Sequence, residues 1–414
     1  MVKTVEQKNK RTNSNRSRAS RNKTSQRKKS SSKGLTIKAK TANRIKMLAV
    51  IFVILLLVAI AAAKVGGFTL SAIGDSLRTS FAKIGSGDGY PYSLSGMSVS
   101  DITITNTDLV LLNDNSIRVI DSTAKEISNI QHSFDHPVMQ SSSGRILVYD
   151  IGAKNFRIQS KTRVLFEKQT DHMILTASIG RDGSVAVATR ADGAESMLTV
   201  YDKNHKETFK WACAKEHIVS CDVSDNGRMF VVAVLGINNG SVYSKVYIFE
   251  KNKTEAQASF DYEDCALTSV QFLSNETVMV LGNNICEIIK GDEVKEKVDV
   301  SVNTPSRLYI SDNNTAVLVL SKYSSTTQKI IKVYSKSGTE CFTSEVDGIV
   351  KSVSTDGKYV AVLTDSQVCI YNMKGEMCGK ADVNSDATDV AVYSRRTYVF
   401  SSESISEYSS VDIS

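Results

Sequence analysis

No G-x-S-x-G, H-E-x-x-H, phosphate-binding P-loop or dinucleotide glycine fingerprint occurs in the 414 residues. Their absence removes the usual sequence grounds for a nucleophile-elbow hydrolase, a zinc peptidase, a nucleotide hydrolase or a nicotinamide enzyme. The seven cysteines, 213, 221, 265, 286, 341, 369 and 378, form no CxxC pair and no zinc spacing. They read as small core side chains, with Cys213 and Cys221 as the one candidate disulfide across a strand connection. Of five histidines only His132 and His136 are close, and around a turn they read as surface residues rather than a metal pair. No catalytic, cofactor-binding or metal-binding residue is assigned, no binding residue is known, and no cofactor is expected.

Acid is nearly missing from the first 46 residues, which hold 16 Lys/Arg against Glu6, while the remaining chain carries a net charge of −8. Large apolar side chains are scarce there too before Leu35, so the tail at 1–46 cannot bury enough surface to offset its ordering entropy and is expected to be disordered. It has no interleaved aromatics to stack on bases. Anionic lipid headgroups are therefore its expected partner, and no nucleic acid is expected.

The only long apolar run is Met47 to Ala63, 17 residues. At helical rise it covers about 25 Å, and continuing through Phe68 it exceeds the ~30 Å hydrocarbon core. Residues 47–68 are read as one transmembrane signal-anchor helix in contact with the bilayer. The excess of Lys/Arg on its N-terminal side places the tail in the cytoplasm and the rest outside. The alternative is a signal peptide cleaved after Ala63, since Ala61-Ala62-Ala63 meets the small-residue requirement of a peptidase. Beyond it, Leu70, Ile73, Leu77, Phe81 and Ile84 fall on one helical stripe. This predicts a juxtamembrane amphipathic helix and glycine-rich linker over 69–89, packing on the bilayer or the body.

From Tyr90 to the C-terminus, helical periodicity gives way to short β-branched runs between polar turns, an all-β pattern. Its core element is a turn followed by an apolar strand, as in Arg181-Asp-Gly-Ser-Val-Ala-Val-Ala-Thr189 and Ser354-Thr-Asp-Gly-Lys-Tyr-Val-Ala-Val-Leu-Thr364. Turns at Thr107, Gly144, Gly183, Gly227, Glu276, Asn314, Gly357 and Arg396 follow one another at steps of 37, 39, 44, 49, 38, 43 and 39 residues. Four strands in about 40 residues is the repeat of a β-propeller blade. Eight blades are expected over 90–414, with seven as the alternative. The last unit has room for three strands, and the extended segment Tyr90-Pro-Tyr-Ser-Leu94 is available to supply the fourth, removing the open edge. Unpaired thiols in such a domain fit a weakly oxidising setting.

Several stretches carry a family likeness: Gly87-Asp-Gly-Tyr-Pro-Tyr-Ser-Leu-Ser-Gly96, His136-Pro-Val, Gly144-Arg-Ile-Leu-Val-Tyr-Asp-Ile-Gly152, and Leu198-Thr-Val-Tyr-Asp202 leading to Phe209-Lys-Trp211. In these the chain resembles a family of uncharacterised single-span membrane proteins with an extracytoplasmic propeller from Gram-positive bacteria. The resemblance implies fold and topology and brings no catalytic residues. Likeness to WD40-like and quinoprotein-like propellers is architectural only. The Trp-Asp blade ending is missing, and one tryptophan cannot dock every blade as in quinoproteins, so a quinone is not expected.

The expected role is a non-enzymatic binding or scaffold module at the plasma membrane, holding an unknown envelope protein or polymer on the propeller. The alternative is an extracytoplasmic hydrolase or lyase acting on envelope carbohydrate, since such sites assemble from separate blades and escape a motif scan.

Overall fold

Among the described residues, thirty-two strands group into eight four-stranded antiparallel sheets arranged as the blades of a β-propeller. The computed structural model describes residues 70–300, 303–311, 313–322 and 327–409, with Met47, Val50 and Val53. The expected tail and the rest of the expected span lie outside the described residues. Among the described residues no helix is long and apolar enough to cross a membrane.

Blades 1 to 7 occupy residues 99–131, 137–169, 174–213, 217–263, 267–297, 303–347 and 352–382, each a meander from the axis outwards. Alternation of direction puts the turns between first and second and between third and fourth strands on one face, called lower here. The second-to-third turns and the links between blades lie on the upper face. The weaker repeats near Glu276 and Ser394 are real blades, so the count is eight. Their weakness in sequence has a local cause. The lower turn of a strong repeat uses a glycine in the left-handed region, such as Gly183 at φ 93°, whereas Ser394 (φ 59°) stands there in blade 8 and the turn at Glu276 holds no residue of positive φ.

The interior is not one core. Buried side chains form eight clusters among the described residues, one at each contact between neighbouring blades. Period-two geometry explains this: on the second strand of blade 1, Leu109 and Leu111 face blade 8, while Val110 and Leu112 face blade 2. Second strands are consequently apolar on both sides, and outer strands such as Ala258–Glu263 alternate with solvent.

Blade 8 has three strands of its own, Asp389–Tyr393, Arg396–Phe400 and Ser404–Ser409, and its fourth is the N-terminal pair Tyr92–Ser93. Tyr92 lies opposite Ile405 and Ser93 opposite Ser404, and the Leu94 amide donates to the Glu403 carbonyl at 2.7 Å. The Leu94 side chain is 3% exposed, inside the seam between blades 8 and 1. The first and last strands of the propeller thus meet in one sheet, which closes the ring.

Helix α1 (Leu70–Ala82) precedes this closing strand. Of the expected apolar stripe, Phe81 (69% exposed) and Ile84 (68%) do not pack on the propeller. Asp75 and Lys83 make the contacts instead. Asp75 Oδ1 accepts from Arg163 Nε at 2.5 Å, and Lys83 Nζ donates to Asp108 Oδ1 at 2.7 Å. Lys161 Nζ reaches the other oxygen of the wholly buried Asp108, also at 2.7 Å. Lys125 Nζ donates to the carbonyls of Ala82 and Ile84, both at 2.6 Å, satisfying acceptors left over at the helix end. All four partners belong to lower-face turns or their margins in blades 1 and 2. Past the helix, Gly87 passes so close to the 123–125 turn that a Cβ there would lie 2.4 Å from Lys125 N and from Thr123 O, so only glycine fits.

Candidate functional site

Propeller ligands meet two kinds of surface, the central channel and the loops of a face. In the channel, the innermost strands are joined by polar side chains that reach across to the next blade. Gln140 Oε1 accepts from Ile179 N at 3.3 Å, Ser220 Oγ from Val270 N at 3.1 Å and Ser354 Oγ from Val392 N at 3.2 Å. Asp222 accepts from Ser178 Oγ and, at 2.7 Å, from Phe272 N, joining blades 3, 4 and 5. Asp389 takes the same part for Ser352, and Asp101 accepts from Ile102 N at 2.7 Å. These acids stand on the strands that splay least at the axis, where backbone groups facing the channel need partners.

The lower mouth is spanned from side to side. Arg181 Nη2 of blade 3 donates to Asn313 Oδ1 of blade 6 at 3.4 Å, and Asn314 Nδ2 donates to Asp225 Oδ2 of blade 4 at 2.8 Å. Above these bridges lies a polar cavity of about 290 Å³ bordered by Asp101, Asp222, Gln140, Gln271 and Tyr309. Burial pushes the carboxyl groups of Asp101 and Asp222 up to about 6, and in Asp101 the neighbouring Asp389 adds to the rise. A raised native pKa means that the fold holds protons the unfolded chain releases. Stability from these groups is therefore present below the ordinary value near 3.8 and is lost as pH climbs towards 6. Asp222→Asn should match the parent at pH 4 and exceed it at pH 7.5 by about 2 kcal/mol in urea unfolding. Equal slopes of stability against pH for the two proteins would contradict the assignment.

The other surface is a hairpin on the upper face of blade 4. Its strands, Met229–Asn238 and Ser241–Glu250, have ten residues each, against five to seven for the second and third strands elsewhere. Its tip turn, Asn239-Gly240, has φ of 49° and 85°, the left-handed pair of a two-residue hairpin turn. Just behind it the cross-strand pair Ile237 and Val242 is exposed to 75% and 37%. Facing Tyr243 stands Gly236, where a Cβ would come 2.5 Å from the phenol ring. Tyr243 therefore lies across the glycine and donates its hydroxyl to Glu216 Oε1 at 3.0 Å. Glu216 is buried and also accepts from Cys213 Sγ at 3.3 Å. Burial lifts that thiol to about 11, so it keeps its proton to donate. Lys245 completes the brace, 3.9 Å from Glu216 and 5.7 Å above the Tyr243 ring.

Beside the hairpin runs a groove of about 610 Å³. One side is Ser241, Val242 and Tyr243. The other is Asp261, Glu263 and Asp264, with Lys245 as the single lining cation. Lys245 sits 3.5 Å from Asp261, while Glu263 and Asp264 have no ion-pair partner among the described residues.

One sequence expectation needs correction. His132 is buried, its Nε2 3.0 Å from the Asn113 carbonyl, because blade 1 folds the 131–134 segment under its own second turn. His136 remains exposed. Cys213 and Cys221 are free thiols packed in the seam between blades 3 and 4, with no disulfide. Among the described residues no group of three or more His, Cys, Asp or Glu could hold a metal.

Sequence reasoning missed both surfaces. The hairpin had a visible sign, the longest repeat step of 49 residues between Gly227 and Glu276, together with the Asn-Gly dipeptide. The channel acids had a fainter one: an aspartate directly before a β-branched residue, in Asp101-Ile102, Asp222-Val223 and Asp389-Val390.

Residues 92–408 match a family described as "Family of unknown function (DUF5711)". No curated protein matches. Among solved structures, the C-terminal WD40 domain of Sif2 aligns over 78% of this chain and 99% of its own, at 13% identity and a TM-score of 0.53. A eukaryotic initiation factor aligns over 72% and 91% with 9% identity and a TM-score of 0.46. BamB from Moraxella catarrhalis aligns over 66% and 96% with 12% identity and a TM-score of 0.36. At these identities the first shows the propeller fold alone, and the other two carry no argument.

Proposed function

We propose, for a chain that belongs to the DUF5711 family and so inherits no assigned activity, that it is a membrane-anchored extracytoplasmic propeller acting as a non-enzymatic binding or scaffold module at the cell envelope. The observation that carries this reading is the blade 4 hairpin. An exposed Ile237 at the end of a braced projection adds nothing to the fold, and the Gly236, Tyr243 and Glu216 arrangement holds it stiffly in place. A rigid projection with an apolar tip loses little entropy on docking, which favours association. The span at 47–68 and the basic tail, resting on anionic headgroups, supply the anchorage.

The hydrolase alternative draws on the two channel carboxyls held near pH 6. Asp222 is already committed to Ser178 and Phe272 N, and Asp101 to Ile102 N, which weighs against a free acid and base pair.

One exposed reporter tests address and role together. Ile237→Cys is expected to react with a membrane-impermeant maleimide in intact cells, above the background of native thiols, five of which are buried. A photo-crosslinking residue at 237 is expected to trap an envelope partner that the same residue at Met377, 53% exposed on blade 7, does not. Labelling only after lysis would sink the address, and equal trapping at both positions would sink the role.

A further inference from the structure

We infer that the blade 4 groove binds a strand of cationic polypeptide carrying alternate apolar residues, docked on the free outer edge of the hairpin. The inference rests on the binding role proposed above and names the partner's chemistry.

The argument begins with backbone pairing. The third strand of blade 4 runs from Ser241 to Glu250, but the outer strand begins to cover it only at Tyr243, opposite Glu263. Ser241 and Val242 pair inwards with Asn238 and Ile237 and have no outward partner strand. The groove lies where the outer strand would continue if it were longer. Only a polypeptide offers N–H and C=O groups at strand spacing to fill that place.

Charge sets the sign of the visitor. Asp261, Glu263 and Asp264 line the groove on the side that a guest strand would extend, against Lys245 alone, which Asp261 and Glu216 already engage. A guest with lysine or arginine on one face would meet unpaired carboxylates. Its other face would lie over Val242 at the tip, with Ile237 beside it across the hairpin. Alternation at period two delivers basic and apolar groups to opposite sides of one strand. The Tyr243 brace fixes the edge before the guest arrives, so docking does not have to order the hairpin.

The test uses the full chain in nanodiscs of zwitterionic lipid, so that the membrane itself does not attract the probe. A fluorescein-labelled Lys-Val-Lys-Val-Lys-Val peptide is titrated by anisotropy beside Glu-Val-Glu-Val-Glu-Val and a lysine hexamer. The alternating cationic peptide alone is expected to bind, more weakly as salt is raised. The triple variant D261N/E263Q/D264N, with an unchanged melting temperature, is expected to weaken it about tenfold. Binding of the lysine hexamer as tight as that of the alternating peptide would replace a strand partner with any polycation. Undiminished binding to the triple variant, or none at millimolar peptide, would overturn the site. Dimerisation of the full chain abolished by Ile237→Asn would assign the edge to a second copy and overturn it too. If the position 237 crosslink in cells persists while the peptide fails, the binding role stands and only this partner chemistry falls.

Discussion

Tyr90→Ala together with Leu94→Ala is expected to unfold most of the propeller at neutral pH. The closing strand contributes just two register pairs, Tyr92 with Ile405 and Ser93 with Ser404. So short a ladder holds little by itself, and its side chains provide the grip. Leu94 is buried beside Leu109, Leu111 and Phe400. The Tyr90 ring lies 5.1 Å from that of Tyr398 and its hydroxyl donates to the Asp121 carbonyl at 3.2 Å. Truncating a large buried side chain such as Leu94 costs about 2–5 kcal/mol, and loss of the half-buried Tyr90 with its ring contact and hydrogen bond in the same seam brings the pair towards the lower end of the ~5–15 kcal/mol total of an ordinary domain. Urea titration followed by circular dichroism measures the loss, with Leu94→Met as a volume-conserving control expected to cost about 1 kcal/mol. A loss below about 1 kcal/mol for the double variant would mean that the ring holds without its N-terminal strand.

Asp108→Ala is expected to cost about 3–5 kcal/mol, because it strands Lys161, whose side chain is 8% exposed, without its anion. Burial already depresses the Lys161 pKa, and the Asp108 carboxylate acts against that depression. Removing Asp108 therefore leaves the desolvation uncompensated. Asp108→Ala combined with Lys161→Met should recover most of the loss, since an apolar pair tolerates the same space. Lys83→Met is a separate case. Lys83 is 34% exposed, so its global effect should be about 1 kcal/mol or less. Its local effect is on α1, whose last-turn amides are expected to exchange faster with deuterium. If Asp108→Ala and Lys83→Met cost the same, the buried lysine is not the source of the penalty.

How much of this was legible depended on whether a feature is local in the chain. The repeat of turns was, because most lower turns are set by one or two residues in the left-handed region and each second strand by an apolar run. Closure by Tyr92 and Ser93 joins segments more than 300 residues apart, yet it was legible because each half, a three-strand final unit and an orphan extended segment, shows in its own stretch of chain. Pairings that depend on the finished ring were not. Nothing near Asp108 in sequence announces Lys83 or Lys161, and nothing near Glu216 announces Tyr243. The burial of His132 follows from an Asn113 carbonyl nineteen residues away. The apolar stripe of α1 was legible as a stripe, but not the partner it meets. A period of 3.6 shows which side chains share a face, not whether that face or the polar one meets the neighbouring domain.

The division of buried side chains by parity limits how the ring can be altered. Because Leu109 and Leu111 serve one neighbour and Val110 and Leu112 the other, inserting a single residue in any second strand would exchange the deliveries to two blade contacts at once. Two interiors would fail for one insertion. Matched additions to both arms of an upper hairpin leave every delivery where it was, and blade 4 has grown in that way. New reach in this architecture comes in symmetrical increments at the ends of hairpins, with the spacing of the wheel left intact.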